Sequence, residues 1–262
     1  MRQTLFGRLV PISSLILVAG TTALAQTVTI SANGYLKMLV VDPIGRKIGY
    51  EPSSGKYYSD IPGVSIGAAS IGLVSEEGPE DDPYEKDPID VVFESIPGRH
   101  AITLYGTKLT SYDVNVIARH KGGGPTTNVA SGGFIDSGMV FNFFFLYDPS
   151  SRAETALSKN VTVQDLRQQI SAVHRLNLLG DKKLFDDWNK ELDKIERDLS
   201  RKDSAKARQE LDKFGKEVDK LRKETIKHEE KKVPKPSKFI TQDAYQVIRE
   251  DIDILLNQLP KK

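Results

Sequence analysis

The feature that most constrains this chain is a change of hydrophobic period partway along it. Between about residues 100 and 118 apolar residues recur every second position (Ile102, Leu104; Tyr112, Val114, Val116), the spacing of strands that bury one face. From Thr162 onward they recur at threes and fours. Leu166, Ile170 and Val173 form one stripe, and Leu184, Trp188, Leu192, Ile195 and Leu199 a second. Ala207, Leu211, Phe214, Val218 and Leu221 form a third, and Ala244, Ile248, Ile252, Leu255 and Leu259 a fourth. Each stripe is one apolar face on an otherwise charged helix. A chain that changes period once in this way predicts an α+β protein in two parts: an antiparallel β-sandwich followed by an antiparallel bundle of three to four helices.

Composition shifts at the same place. Residues 26–150 carry 9 basic against 15 acidic side chains, net −6, while 151–262 carry 26 against 21, net +5. Most glycines and aromatics precede the change, and most Lys, Glu, Leu and Gln follow it. The expected organisation is a signal peptide over 1–25, a sandwich over 26–150, a linker over 151–161 and a helical part over 162–262. Candidate strands are Tyr35–Val41, Ile89–Glu94, Ala101–Tyr105, Tyr112–Ala118 and Met139–Tyr147, bounded by Gly, Pro and Asp. The short Gly106–Ser111 connection suits an antiparallel pair. In the second part Thr162 and Thr241 are N-cap candidates, Gly180 is the expected end of the first helix, and Lys231–Pro236 breaks the chain before the last.

The first 25 residues read as an address. Arg2 and Arg8 precede an apolar stretch from Leu9 to Gly20, and Ala23-Leu24-Ala25 supplies a signal-peptidase site. The stretch is too short, and too broken by Pro11 and its serines, to span a bilayer. No second apolar run of spanning length follows. The mature chain is therefore expected outside the cytoplasm, in the periplasm or the medium, without a membrane span. An exported chain with no cysteine suits a bacterial source. It also has no disulfide, thiol nucleophile or cysteine-bound metal. A net charge of +1 over the whole chain argues against a nucleic-acid partner.

Matches to catalytic motifs fail on context. Gly63-Val64-Ser65-Ile66-Gly67 has the nucleophile-elbow spacing, but too little chain precedes it to build the parallel sheet that the elbow requires. Ser53-Ser54-Gly55-Lys56 has the serine/lysine spacing of penicillin-recognising enzymes without a Lys-Thr-Gly partner. His100 and His120 read as surface or edge residues. The acidic run from Glu76 to Asp87 concentrates oxygen ligands that calcium accepts, with Glu76, Glu77, Asp81 and Asp82 as candidate ligands. Apart from that calcium, no cofactor is expected.

Two resemblances add to this reading, one in each half, the first of them carried by two segments. Asp42-Pro43-Ile44-Gly45-Arg46-Lys47-Ile48-Gly49-Tyr50, followed by Ile61-Pro62-Gly63, resembles a recurring segment of exported bacterial proteins. The run Ile96–Gly106 is similar to the Gly-x-Tyr-x-Leu-x-Val-x-Gly hairpin of extracellular immunoglobulin-like modules, with His100 where an aromatic usually sits. Residues Val163–Leu259 resemble the FIMAH-type helical module at the C-termini of secreted bacterial proteins. The matching residues there are the Leu-x-x-x-Ile start, the Leu184-to-Ile195 helix, Ala205-x-Ala207-x-x-x-Leu211-x-x-Phe214-x-x-x-Val218, and Phe239-Ile240-Thr241-x-x-Ala244. Both resemblances imply accessory modules without a catalytic centre. The resulting expectation is a non-enzymatic, exported binding protein that recognises an extracytoplasmic protein or a surface polysaccharide. Its candidate contacts are Asp42, Arg46 and Tyr50 on one turn and Lys121 in a glycine loop, since loops on a rigid sandwich carry recognition. The alternative is a calcium-dependent adhesin or secreted hydrolase using the acidic run.

Overall fold

The computed structural model describes residues 27–66, 89–119, 127–148, 156–231 and 236–260. Among the described residues eleven strands precede four helices. In chain order the strands are β1 (Thr27–Asn33), β2 (Leu36–Val41), β3 (Lys47–Glu51), β4 (Lys56–Ser59), β5 (Ser65–Ile66), β6 (Ile89–Glu94), β7 (Gly98–Gly106), β8 (Thr110–Ala118), β9 (Thr127–Ile135), β10 (Val140–Tyr147) and β11 (Leu157–Asn160). The helices are α1 (Val163–Arg175), α2 (Lys182–Ser200), α3 (Ser204–Glu230) and α4 (Gln242–Gln258). The fold is thus α+β with antiparallel sheets. Among the described residues no helix is long and apolar enough to cross a membrane.

The strands form a five-stranded sheet, β5-β6-β1-β8-β9, and a six-stranded sheet, β11-β10-β7-β2-β3-β4. Their inner faces meet in a shared core. Tyr112 of the first sheet stacks on Phe141 of the second at 5.5 Å, and Phe93 lies 5.9 Å from His100. The alternation read in β7 and β8 is what builds this core: Ile102, Leu104, Tyr112, Val114 and Val116 are all fully buried. Their connection differs from the expectation. β7 pairs with β10 and β2, whereas β8 pairs with β1 and β9. The residues between them therefore cross from one sheet to the other and close no hairpin. Alternation marks which face is buried, and it is silent about which strand lies alongside.

His100 is the second correction. It is fully buried, because β7 places it in phase with Ile102 and Leu104. Its ring stacks on Phe145 at 4.6 Å with 10° between the planes. Nδ1 donates to the Gly98 carbonyl at 3.1 Å, which leaves Nε2 to accept from the Ser95 hydroxyl at 3.0 Å. A core histidine with both nitrogens satisfied occupies an aromatic's place, and burial pushes its pKa down to about 4.

The helices begin where their caps predict. The Thr162 side chain accepts from Asp165 N while Asp165 bonds back to Thr162 N, a capping box. The Thr241 hydroxyl accepts from Ala244 N. The first helix ends earlier than Gly180. Asn177 takes the left-handed conformation (φ 56°), and bonds from Asn177 N to the His174 carbonyl and from Leu178 N to the Val173 carbonyl close a Schellman turn. Gly180 instead lets the chain run against residues 237–239, where its N–H donates to the Phe239 carbonyl. In the helical half α2 packs on α3, α3 on α4, and α1 on both α2 and α4.

The two halves share one hydrophobic core. α1 and α4 pack on β9, the last strand of the five-stranded sheet, and β11 runs within the segment expected as a linker. Among the described residues three side-chain bonds cross this seam. Gln169 Oε1 accepts from Phe134 N at 3.1 Å and so caps the open edge of β9. Arg175 pairs with Asp136. Lys159 on β11 meets Asp251 on α4 at 2.6 Å with both side chains buried. A strand edge that would otherwise invite pairing is covered by helix.

Candidate functional site

Five of the nine tyrosines, namely Tyr35, Tyr50, Tyr57, Tyr58 and Tyr105, gather at one end of the six-stranded sheet. Register brings them together. Tyr105 on β7 stands opposite Lys37 on β2, and Tyr50 on β3 opposite Tyr57 on β4. Thr107 N donates to the Tyr35 carbonyl at 3.0 Å, which ties the approach to β2 to the exit from β7. Gly49 sets the position of Tyr50. Its φ of +107° is a conformation that side-chain-bearing residues avoid, and a Cβ there would overlap the Met38 carbonyl oxygen.

The rings are interleaved with lysines. Lys37 Nζ lies 4.3 Å above the Tyr50 ring, Lys47 Nζ 4.7 Å from Tyr58, and Lys108 Nζ 4.8 Å from Tyr35. The Tyr50 and Tyr57 rings are 4.7 Å apart and tilted by 48°. Tyr57 is 52% exposed, so part of its ring is open to a ligand. Glu51 is the carboxylate of this cluster, and its oxygens are taken. It accepts from Lys47 at 3.0 Å, from Ser54 at 2.9 Å and from Tyr58 at 3.0 Å. These bonds hold Glu51 below the usual carboxylate range and push Lys47 up. Partial burial pushes the Tyr57 and Tyr105 phenols up. Tyr57 and Tyr105 are therefore neutral hydrogen-bonding rings near neutral pH.

The residues singled out in the sequence separate. Tyr50 belongs to this cluster. Asp42 is buried, and its carboxylate accepts from Ile44 N at 3.1 Å, Arg46 N at 2.8 Å and Arg46 Nε at 2.6 Å. Asp42 and Arg46 thus organise the β2–β3 turn at the opposite end of the sheet. Lys121, the glycine loop, His120, and the calcium candidates Glu76, Glu77, Asp81 and Asp82 lie outside the described residues. Ser65 sits on β5, paired with Val92 of β6, and Ser53 lies in the turn between β3 and β4. Among the described residues no three His, Cys, Asp or Glu side chains converge as a metal site.

The tyrosine cluster is the feature that motif reading passed over. Its members come from separate strands and connections, and no spacing links Tyr35 to Tyr58 or Tyr105. The available signal was compositional: seven of the chain's nine tyrosines lie before residue 113, and a lysine falls within three residues of Tyr35, Tyr50, Tyr57, Tyr58, Tyr84 and Tyr105. Comparison with known proteins identifies no relative: no family model, curated protein or solved structure matches the chain.

Proposed function

We propose that this chain is an exported, non-catalytic binding protein that recognises a surface glycan outside the cytoplasm through the tyrosine-lined end of its six-stranded sheet. The observation that carries the reading is the half-exposed Tyr57 ring braced against Tyr50, with Lys37 on the Tyr50 face. The C–H face of a sugar ring is apolar and slightly positive, and it lies favourably on the electron-rich face of an aromatic ring. Phenol hydroxyls and lysines around the ring supply bonds to sugar hydroxyls, the usual division of labour in a binding site. In this reading the first 25 residues export the chain, the sandwich is the immunoglobulin-like recognition part, and the FIMAH-type helices are its accessory half. The hydrophobic stretch before Ala23-Leu24-Ala25 and the helical spacing of Val163–Leu259 support those assignments.

A glycan array probed with residues 26–262, and with Tyr57→Ala, tests this. Saturable binding to saccharides that falls roughly two- to tenfold in the variant is the expected result, since one aromatic stacking contact contributes roughly 0.5–1.5 kcal/mol. Binding that Tyr57→Ala leaves unchanged, or no saccharide binding by the folded protein, overturns it.

A further inference from the structure

The same surface carries a charge that the glycan reading leaves unused, and the inference that follows rests on that reading. Lys37, Lys56 and Lys108 stand around the tyrosines, yet among the described residues none of the three forms an ion pair with a carboxylate. Lys47 neutralises Glu51. Two of the remaining lysines rest on rings of the cluster, Lys37 on Tyr50 and Lys108 on Tyr35, while Lys56 is exposed directly across the ladder from Glu51 and next to Tyr57 in the chain. The cluster is thus locally cationic within a half of the chain whose net charge is −6. That net charge lies in the acidic run from Glu76 to Asp87; the rest of residues 26–150 carries 8 basic and 8 acidic side chains, so three lysines without a carboxylate at one end of one sheet are a local concentration of charge.

We infer that the glycan bound here is a polyanion whose sugars carry carboxylates. A uronate unit presents the two chemistries this surface combines. Its ring face lies on Tyr57 and its carboxylate reaches Lys56 or Lys37 beside that ring, while Lys108, beyond β7 and three strands from β4, takes the carboxylate of another unit of the polymer. A neutral sugar would use the ring and leave three cations without partners. A simple polyanion would use the cations and leave the rings idle. Attraction between exposed charges is screened over about 8–10 Å at ordinary ionic strength, so binding of this kind weakens as salt rises, chiefly through slower association.

Residues 26–262 are titrated with polygalacturonate, with the same polymer after methyl esterification of its carboxyls, with poly-glutamate, and with vesicles containing an anionic phospholipid, each at low and high salt. Saturable binding to polygalacturonate is expected, lost on esterification and weakened by salt. Lys37→Gln, Lys56→Gln and Lys108→Gln combined should reduce affinity by about tenfold at low salt, three exposed pairs of ordinary strength, and Tyr57→Ala should reduce it independently. These side chains lie at or near the surface, and unchanged circular dichroism checks that the variants fold. Equal binding to the esterified polymer overturns the anionic inference and leaves the glycan reading standing. Binding to neither polymer overturns the anionic inference, and the glycan array decides whether the reading it rests on stands. Preference for poly-glutamate or vesicles, insensitive to Tyr57→Ala, overturns both in favour of a peptide or lipid partner.

Discussion

The buried ion pair at the seam makes the most quantitative demand on the fold. Lys159 and Asp251 are 3% and 0% exposed in their side chains and meet at 2.6 Å. Lys159 also lies 4.9 Å from the Phe141 ring, and Asp251 Oδ2 has no protein partner. Burial pushes the Asp251 carboxyl up against the downward pull of Lys159. Asp251→Asn leaves an ammonium buried without its counter-charge and should cost on the order of 3–5 kcal/mol, a large part of the roughly 5–15 kcal/mol that holds a domain folded. Lys159→Met behaves differently, because the abandoned carboxyl can take a proton. An acid whose folded pKa lies above its unfolded one binds protons more tightly when folded. The loss in Lys159→Met is therefore constant above the folded pKa and shrinks as pH falls from there towards the unfolded pKa, by up to about 1.4 kcal/mol per pH unit. Lys159→Met with Asp251→Leu removes both charges and should lie close to the wild type. Urea unfolding followed by Trp188 fluorescence, which reports α2, and by far-ultraviolet circular dichroism gives the four stabilities. The two probes should also coincide, because the halves share a core. A cost below about 1 kcal/mol for Asp251→Asn, or a double variant less stable than either single, refutes the argument.

Other consequences follow from single residues. His100 has a folded pKa of about 4 against an ordinary 6.5, so its contribution is complete above pH 6.5, falls away as pH drops towards 4, and totals on the order of 3 kcal/mol. His100→Phe should flatten the pH dependence of the urea midpoint in that window, and an unchanged slope would contradict the assignment. Gly49→Ala should cost about 1–3 kcal/mol for a strained backbone and weaken glycan binding through the displaced Tyr50, whereas unchanged affinity would detach Tyr50 from the site. Asp42→Ala removes three bonds from the β2–β3 turn and should cost about 1–3 kcal/mol without reducing affinity. Loss of binding at full stability would return Asp42 to the binding surface.

What the sequence made legible was local, and the remainder depended on contacts distant along the chain. The alternation of β8 and the stripe from Leu184 to Ile195 each report a buried face by their spacing, and both faces are buried. Thr162 and Thr241 announced their helices through bonds made within three residues. β4 (Lys-Tyr-Tyr-Ser) had no apolar alternation to reveal it, because as an edge strand it buries almost nothing. β11 was hidden for the opposite reason: its inward residue is Lys159, whose burial depends on an aspartate 92 residues away. The tyrosine cluster shares this dependence on register, which places Tyr50 opposite Tyr57 and Tyr105 opposite Lys37. His100 was an exception, since its phase with Ile102 and Leu104 already indicated burial and only its polarity argued otherwise.

Hydroxyl-radical footprinting of the folded chain, with and without saturating carboxylate-bearing polysaccharide, tests the central claim most directly. Tyr57 and Tyr50 should lose reactivity in the complex, while exposed side chains on α2 and α3 and the exposed Ile44 on the distant β2–β3 turn should keep theirs. Protection confined to the helices or to that turn, with Tyr57 as reactive as in the free protein, would contradict the account.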